Sequence, residues 1–359
     1  MTQPVSDAAH IDLRNFFLNP SMLAPRRAER VELGEGAFLL RSPDVLRPWA
    51  RCVGVWLEHW ALEKPDAIAF AEPSGLSAAA VTSGWVTLTW SQLRARVGSV
   101  AQSLLDLRLA EGAPVVILSD NSLDHLVLTL AAMHVGRVAC TVSSAYCRLA
   151  GTDFSRIQGI LDTLEPGLLY ASDAATYGPA IRASACKAPV VFSRGAADHP
   201  GAIAFDALAA TPETSAVLQA FAAVGPDTHA KYLLTSGSTG HPKVVINTHG
   251  MLCANQQMIA QTMRFLAVEP PVLLDWLPWS HTFGGNHNVN IVLRNGGTMY
   301  IDDGRPVPGL IDRTVAHLRE VQPTVFFNVP KGYDMLLPAL ESDRELAYRF
   351  FERMRMVFY

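Results

Sequence analysis

The chain has 359 residues, of which 49% are hydrophobic and 17% are charged, and its formal net charge is −4. This composition can bury a sizeable core and excludes a disordered chain, while the length is typical of two or three domains or of one domain with subdomains. The negative charge excludes the basic patch of a nucleic-acid-binding protein, and no stretch approaches the ~20 apolar residues of a membrane span.

Apolar residues recur with the periods of helices and strands over most of the chain. Residues 89–92 read Thr-Trp-Ser-Gln, a capping box that begins a helix. The apolar residues behind it predict a buried helix face: Leu93, Val97, Val100, Leu104 and Leu107. Strands are predicted at 67–71, 86–88, 114–118, 138–142, 168–171, 190–192, 232–234, 244–247, 272–277, 298–301, 323–328 and 356–359. Helices are predicted at 51–63, 93–107, 123–135, 155–164, 177–185, 249–265, 310–321, 331–340 and 345–354.

The repeated order of strand, helix and strand predicts parallel pairing within an α/β layer. Residues 1–50 are rich in Pro and Arg, and we interpret them as an N-terminal extension. We expect 51–193 to form a first α/β subdomain and 194–230 to form a connector with short helical pieces. Residues 231–359 are expected to form a second α/β subdomain, which is incomplete at its C-terminal end.

One loop has the composition of an anion-binding site. Residues 232–243 read Tyr-Leu-Leu-Thr-Ser-Gly-Ser-Thr-Gly-His-Pro-Lys. The glycines allow the backbone to turn and approach a ligand, the hydroxyls are donors for phosphate oxygens, and the lysine adds a positive charge. The predicted phosphate-binding residues are Thr235, Ser236, Gly237, Ser238, Thr239, Gly240 and Lys243.

Composition alone would favour a solvated turn for such a loop. It is not a Walker A loop, because His241 and Pro242 precede Lys243 and no Ser or Thr follows the lysine, and the dinucleotide fingerprint Gly-x-Gly-x-x-Gly is absent. From Thr235 onward it resembles the phosphate-binding loop of adenylate-forming enzymes, Thr-Ser-Gly-Ser/Thr-Thr-Gly-x-Pro-Lys. That superfamily comprises acyl-CoA synthetases, luciferases and the adenylation domains of peptide synthetases.

A second stretch, residues 275–285, reads Asp-Trp-Leu-Pro-Trp-Ser-His-Thr-Phe-Gly-Gly. The strand is expected to end at Leu277, and the turn after it presents His281 where ligands bind in α/β folds, at the carboxyl end of a strand. An isolated histidine is usually structural. The aromatic side chains belong by default to a core, with the wall of an aryl pocket as the second interpretation.

In adenylate-forming enzymes the corresponding motif ends in an aromatic or histidine side chain beside the acyl pocket. The resemblance therefore implies that His281 is catalytic, as is Lys243, and that His281, Phe283 and Gly284 contact the substrate. The spacing of His281 and His287 could also suggest a metal. Since no carboxylate or further His or Cys stands at ligand spacing, no metal-binding residue is predicted.

The resemblance is closer to feruloyl-CoA synthetase, a family that activates hydroxycinnamic acids such as ferulate, caffeate and 4-coumarate. It covers most of the chain and rests on Ile-Asn-Thr-His at 246–249, Asn-Gln-Gln-Met at 255–258, Trp-Leu-Pro-Trp at 276–279, His-Thr-Phe-Gly-Gly-Asn-His at 281–287, Asn-Gly-Gly at 295–297 and Tyr-Ile-Asp-Asp-Gly at 300–304. It implies the layered α/β subdomains of the N-terminal domain of an adenylate-forming enzyme.

The family implies two half-reactions on small-molecule substrates. ATP and the carboxylic acid, with Mg²⁺, give an acyl-adenylate and pyrophosphate, and CoA then gives the thioester and AMP. Two alternatives stay open. One is an acyl-CoA ligase for another acid, aliphatic or benzoate-like, and the other is a non-catalytic module that binds a nucleotide or an acyl group.

The chain departs from the family after His281. It has no Tyr-Gly-x-Thr-Glu-like motif with its Mg²⁺-binding glutamate, no ribose-binding aspartate, and no small C-terminal domain with the adenylation lysine. Asp302 and Asp303 are interpreted as part of a solvated loop. We therefore expect the chain to resemble the N-terminal part of a longer enzyme, and the isolated chain to form no measurable feruloyl-CoA.

The five cysteines are scattered and include no Cys-x-x-Cys pair. They are interpreted as reduced thiols of a cytoplasmic protein rather than as disulfides or zinc ligands. The N-terminus lacks the basic-then-apolar pattern of a signal peptide, which agrees with this localisation.

The phosphate loop generates a testable prediction. If it binds ATP phosphates, Lys243→Ala and Thr239→Val should each weaken ATP use in an enzyme of full family length. A lost hydrogen bond to a charged group costs roughly 1.5–3 kcal/mol, or about tenfold to over a hundredfold. Unchanged kinetics in variants that fold would contradict the assignment.

Overall fold

The computed structural model of the chain describes residues 22–76, 84–148, 151, 153–235 and 243–359. The strands are β1 (Glu29–Gly34), β2 (Ala37–Arg41), β3 (Ile68–Pro73), β4 (Trp85–Thr89), β5 (Val115–Ile117), β6 (Ala139–Thr141), β7 (Leu168–Asp173), β8 (Val190–Arg194), β9 (Ile203–Ala204), β10 (His229–Thr235), β11 (Lys243–Thr248), β12 (Val272–Asp275), β13 (Thr298–Ile301), β14 (Val325–Phe327) and β15 (Met356–Phe358). The α-helices are α1 (Gly54–Glu63), α2 (Trp90–Asp106), α3 (Leu123–His134), α4 (Ala145–Arg148), α5 (Ser155–Leu164), α6 (Ala174–Ala183), α7 (Phe205–Ala209), α8 (Ser215–Ala223), α9 (His249–Thr262), α10 (Val289–Asn295), α11 (Ile311–Glu320), α12 (Pro330–Ser342) and α13 (Arg344–Glu352). Short 3₁₀ turns lie at Ser74–Leu76, Ala196–Asp198 and Arg264–Ala267, and a π-helical turn lies at Phe283–Asn288.

A seven-stranded sheet with the order β11-β10-β6-β5-β7-β8-β9 is the largest layer. The pairs from β10 to β9 are parallel, which confirms the pairing predicted from the order of helices and strands. The edge strand β11 instead pairs antiparallel with β10. Only residues 236–242 connect these two strands, and this is too short for the crossover that a parallel pair requires.

A four-stranded sheet has the order β12-β13-β3-β4, and β14 and β15 form a small parallel sheet. Sheet pairing crosses the predicted division of the chain in both directions. From the predicted second subdomain, β10 and β11 join the seven-stranded sheet, while β3 and β4 of the predicted first subdomain pair beside β13. The division itself stays a prediction, and these pairings tie its parts together through backbone hydrogen bonds.

Strand β5 shows how the seven-stranded sheet is covered on both faces. Its alternate side chains point to opposite faces, as in any strand. Val115 and Ile117 pack into the core that includes α2 and α3, whereas Val116 packs into the core that includes α5 and α6. A third apolar cluster joins β12 and β14 to α11, α12 and α13.

The predicted helices and strands are found with shifts of a few residues at their ends. The capping box is confirmed: the amide of Thr89 donates to Gln92 Oε1 (3.0 Å), and the amide of Gln92 donates to Thr89 Oγ1 (3.3 Å). Within the predicted 1–50 extension, β1 and β2 form an exposed antiparallel hairpin that the sequence analysis did not predict. All five cysteines are free. Among the described residues, no helix has the length and apolarity needed to cross a membrane.

The capping box should contribute measurably to stability. We expect Thr89→Ala to lower the free energy of unfolding by about 1 kcal/mol, because the amide of Gln92 at the start of α2 loses the Thr89 hydroxyl as its acceptor. Chemical denaturation measures this difference. The matched control is Thr87→Ala, at an exposed position of β4, and a loss of similar size in both variants would contradict the role of the cap.

Candidate functional site

The structure describes the two ends of the predicted phosphate loop. Thr235 ends β10 and Lys243 begins β11, and these two residues are register partners in the antiparallel pair. Both are exposed, so the hydroxyl and the ammonium can reach a ligand in solvent. The other predicted phosphate-binding residues, Ser236, Gly237, Ser238, Thr239 and Gly240, lie outside the described residues.

His281 stands at the tip of a closed turn, residues 277–285, which we call the His281 turn. Strand β12 ends at Asp275, two residues earlier than predicted. The amide of His281 donates to the carbonyl of Pro278 (3.1 Å), and the carbonyl of His281 accepts from the amide of Gly285 (2.8 Å). These backbone bonds fix the turn while the imidazole stays exposed, as a substrate-contacting histidine requires.

Gly284 and Gly285 allow the end of this turn to pack against its beginning. A Cβ at Gly284 would lie 2.4 Å from the carbonyl oxygen of Leu277, and one at Gly285 would lie 2.2 Å from that of Trp279. No side chain fits at such distances, so both positions require glycine. Gly284 is therefore buried against backbone, whereas the sequence analysis predicted it as a substrate contact.

Phe283, also predicted to contact the substrate, is half-buried in a cluster of aromatic rings. Its ring centroid lies 5.6 Å from that of His287, 5.9 Å from that of Phe327 and 6.1 Å from that of Phe358, all with edge-to-face geometry. Burial lowers the pKa of His287. The π-helical turn therefore carries one aromatic face that joins β14 and β15.

The His281 turn is bound to both strands that flank the phosphate loop. Lys231 on β10 donates from Nζ to the carbonyl of Gly285 (3.0 Å). Asn286, the next residue, donates from Nδ2 to Oδ1 of Asn247 on β11 (3.1 Å). The sequence analysis assigned no role to Lys231. Its only sequence signal is a lysine inside an otherwise apolar strand, and that signal does not tell which way the side chain points.

A cavity of about 790 Å³ opens beside the turn. It lies at the carboxyl ends of β5, β6, β7, β8 and β13, the position expected for a ligand site in an α/β fold. Asp120 forms ion pairs there with Arg148 and with Arg305 (2.9 Å). Burial acts to raise the pKa of Asp120, but the Ser144 hydroxyl and the two arginines hold it below its usual value. Ser280 lines the cavity, beside His281 in the chain.

The interpretation of Asp302 as part of a solvated loop is wrong. Asp302 is 5% exposed, and its carboxylate accepts from the Gly304 amide (2.8 Å), the Thr314 hydroxyl (2.6 Å) and His317 Nδ1 (2.8 Å). Asp303 pairs with Arg313. Within the described part of the chain, Asp302, Asp303 and His317 are the acidic and histidine side chains close enough together to hold a cation. These contacts join Asp302, Asp303 and His317 in one internal network of hydrogen bonds and ion pairs.

Asp275 lies at the start of the turn in a fully buried position. Its Oδ1 accepts from the Leu277 amide (3.2 Å), and its own carbonyl accepts from the Asp302 amide (3.0 Å). Burial raises the pKa of Asp275 to about 7, with a further increase from the charge of Asp302 and an opposing effect of Asn288. The charge at the base of the His281 turn therefore changes near neutral pH.

Comparison with known proteins identifies related sequences. A profile described as AMP-binding enzyme matches residues 57–359. The chain is similar to 3-hydroxybenzoate–CoA ligase of Aromatoleum sp. (strain CIB), with 28% identity over 263 residues that cover 72% of this chain and 47% of that protein. It is also similar to long-chain-fatty-acid–CoA ligase FadD13 of Mycobacterium tuberculosis (strain ATCC 25618 / H37Rv), with 30% identity over 201 residues, 55% of this chain and 35% of that protein. The chain spans less than half the length of these two relatives.

Solved structures share the fold. ATP-bound MatB from Rhodopseudomonas palustris superposes with a TM-score of 0.60 at 22% identity, over 85% of this chain and 54% of that chain. A fatty acyl-adenylate ligase from L. pneumophila in complex with acyl adenylate and pyrophosphate gives 0.60 at 18% identity, over 83% and 47%. These similarities confirm the predicted α/β fold of adenylate-forming enzymes.

The buried carboxyl of Asp275 predicts a pH-dependent stability. Folding raises its pKa from about 3.9 to about 7, so the folded protein retains a proton that the unfolded chain releases. Stability from this group is therefore present below pH 4 and is lost as the pH rises through 7. The Asp275→Asn variant lacks this loss and should gain on the wild type, by up to about 4 kcal/mol at pH 8.

Urea unfolding at pH 4.5 and pH 8 measures the effect of Asp275→Asn. The matched control is Asp162→Asn, the same substitution on the exposed side of α5, against which the pH dependence of Asp275→Asn is compared. A pH-independent difference for Asp275→Asn would contradict the titration of Asp275 in this range.

Proposed function

The chain belongs to the AMP-binding enzyme family, and from this premise we propose that it supplies the phosphate loop and the His281 turn for the activation of an aryl carboxylic acid with ATP and its transfer to CoA. The acid is ferulate or a related hydroxycinnamate. The product of the first step is the acyl-adenylate, and the product of the second is the CoA thioester. A ligase for another acid, or a module that only binds a nucleotide or an acyl group, is the alternative.

The reaction needs no nucleophilic side chain. A carboxylate oxygen of the acid attacks the α-phosphorus of ATP, a new P–O bond forms, and the bond to pyrophosphate breaks. The thiolate of CoA then attacks the acyl carbon, and AMP leaves with the carboxylate oxygen. The protein contributes by holding the two reactants together and by placing donors where charge develops on the leaving group.

The observation that carries the proposal is the attachment of the His281 turn to both strands of the phosphate loop. Lys231 bonds the turn to β10, and Asn247 on β11 accepts a hydrogen bond from Asn286, the residue that follows the turn. Lys243 at the start of β11 offers a positive charge for the phosphates, and His281 offers an imidazole for the carboxylate. The two halves of an adenylation reaction, the nucleotide and the acid, can therefore be bound by one structural unit.

Two observations support an aryl acid. The similarity to a 3-hydroxybenzoate–CoA ligase is one. The other is the aromatic cluster around Phe283, in which Phe358 is exposed and offers a ring that suits a planar substrate. The similarity to a fatty-acid–CoA ligase keeps an aliphatic acid as the alternative, and a comparison of ferulate with a long-chain fatty acid in one binding assay separates the two.

We assign Mg²⁺ to bound ATP. In the described ranges, the acidic and histidine side chains grouped closely enough for an ion are Asp302, Asp303 and His317. Asp302 and Asp303 are engaged by Thr314 and Arg313. They do not fit a metal site. The ion would therefore enter as the MgATP complex, with its charge balanced by the triphosphate.

His281 provides the direct test of the site. If the imidazole borders the carboxylate, His281→Ala should weaken the binding of ferulate, and of a non-hydrolysable feruloyl-adenylate analogue, by about tenfold, the loss of one charged hydrogen bond. The affinity for MgATP should change much less, because the phosphates are bound by the loop. Isothermal titration calorimetry on the 359-residue chain measures all three affinities.

The matched control is His59→Ala, at an exposed histidine of α1, which should leave every affinity unchanged. Small and equal losses for the acid and for ATP in His281→Ala would make His281 a structural residue. A wild-type chain that binds MgATP but binds neither ferulate nor a long-chain fatty acid would favour the nucleotide-binding module.

A further inference from the structure

Asn121 holds the beginning of the His281 turn. Its Nδ2 donates to the carbonyl of Leu277 (2.9 Å), and its Oδ1 accepts from the amide of Trp279 (3.0 Å). A primary amide offers one donor and one acceptor side by side, which matches the carbonyl and the amide that flank Pro278 in this turn. Asn121 lies between β5 and α3, so the turn is attached here to the centre of the seven-stranded sheet.

Lys231 holds the end of the same turn. Lys231 is 3% exposed, and its ammonium donates to the carbonyl of Gly285 (3.0 Å). A Cβ at Gly285 would lie 3.1 Å from Nζ, so the glycine also leaves the space that the ammonium occupies. Burial of a charged amine is unfavourable unless acceptors compensate it. A buried lysine therefore lowers the stability of the fold more than an apolar side chain would at the same position.

We propose that Asn121 and Lys231 are positioning residues for the activation of the acid. They grip the His281 turn at its two ends and thereby fix the imidazole at its tip. Lys231 also lies four residues before the end of β10 at Thr235, so the strand that leads into the phosphate loop and the turn that carries His281 are one unit. This inference rests on the proposed function, since positioning matters only if His281 contacts the acid.

The test compares Asn121→Ala and Lys231→Met in the 359-residue chain, alone and combined with His281→Ala. Lys231→Met keeps the length of the apolar stem and removes the donor. The matched control is Lys64→Met: Lys64 also donates from Nζ to a glycine carbonyl, that of Gly296, in a different turn. The measurements are the affinities for ferulate, for the feruloyl-adenylate analogue and for MgATP.

We expect each of the two variants to weaken binding of ferulate and of the analogue by about tenfold, as the loss of one or two hydrogen bonds would, while Lys64→Met does not. MgATP affinity should change less than acid affinity. In the His281→Ala background the same substitutions should cost almost nothing further, because the group that they position is gone. This non-additivity is the signature of positioning, since a general loss of structure would add to the effect of His281→Ala.

Three outcomes are decisive. Non-additive losses confined to the acid support the proposal. Unchanged acid affinity, or losses that add fully to those of His281→Ala, overturn the positioning role and leave the proposed function standing. A wild-type chain that binds neither the acid nor MgATP overturns the proposed function and the positioning role with it.

Conservative variants keep the test valid if the first ones fold poorly. Asn121→Asp retains an oxygen to accept from the Trp279 amide and lacks the donor for Leu277, so we expect an intermediate loss of acid affinity. Lys231→Arg retains a cationic donor and should bind the acid better than Lys231→Met. Hydrogen exchange of the His281 turn should become faster in Asn121→Ala and Lys231→Met, and unchanged exchange in the variants would overturn the proposal.

Discussion

The hydrogen bond from the buried Lys231 ammonium to the carbonyl of Gly285 is the contact on which the arrangement of the site depends. A charged amine in the interior loses its hydration, and burial lowers the pKa of Lys231 to about 8. In return, the hydrogen bond to Gly285 constrains the geometry. The strand before the phosphate loop and the π-helical turn that follows His281 can move only together. Asn247 and Asn286 repeat the constraint on the neighbouring strand with an amide pair.

This constraint turns two separate stretches of chain into one candidate site. The strands that flank the phosphate loop, β10 and β11, lie at one edge of the seven-stranded sheet, whereas the His281 turn follows β12 of the four-stranded sheet. Without side-chain bonds between them, the two sheets would be joined here mainly by apolar packing, which has no directional preference. Asn121 and Lys231 add direction, because their hydrogen bonds go to particular backbone atoms of the turn. The glycines of the turn supply the space in which those bonds form.

The bounds of helices and strands were predictable from the sequence, whereas the directions in which individual side chains point were not. Helix α5 and strand β13 have their predicted bounds, because local apolar spacing determines them. The antiparallel pairing of β11 with β10 was predictable from the short connection between these two strands. The burial of Asp302 was missed because its partners, Thr314 and His317, come from a later helix. The inward side chain of Lys231 could not be predicted, since alternation along a strand does not tell which face is inside.

The central claim is that ATP binds beside His281. Paramagnetic relaxation of the histidine ring signals by MnATP tests it directly on the 359-residue chain, with the signals assigned through His281→Gln and His59→Gln. The account predicts that MnATP strongly broadens the His281 signal and that added MgATP reverses this broadening by displacing MnATP. The signal of His59 keeps its width. Saturable binding of MnATP that leaves the His281 signal as sharp as that of His59 would contradict the account.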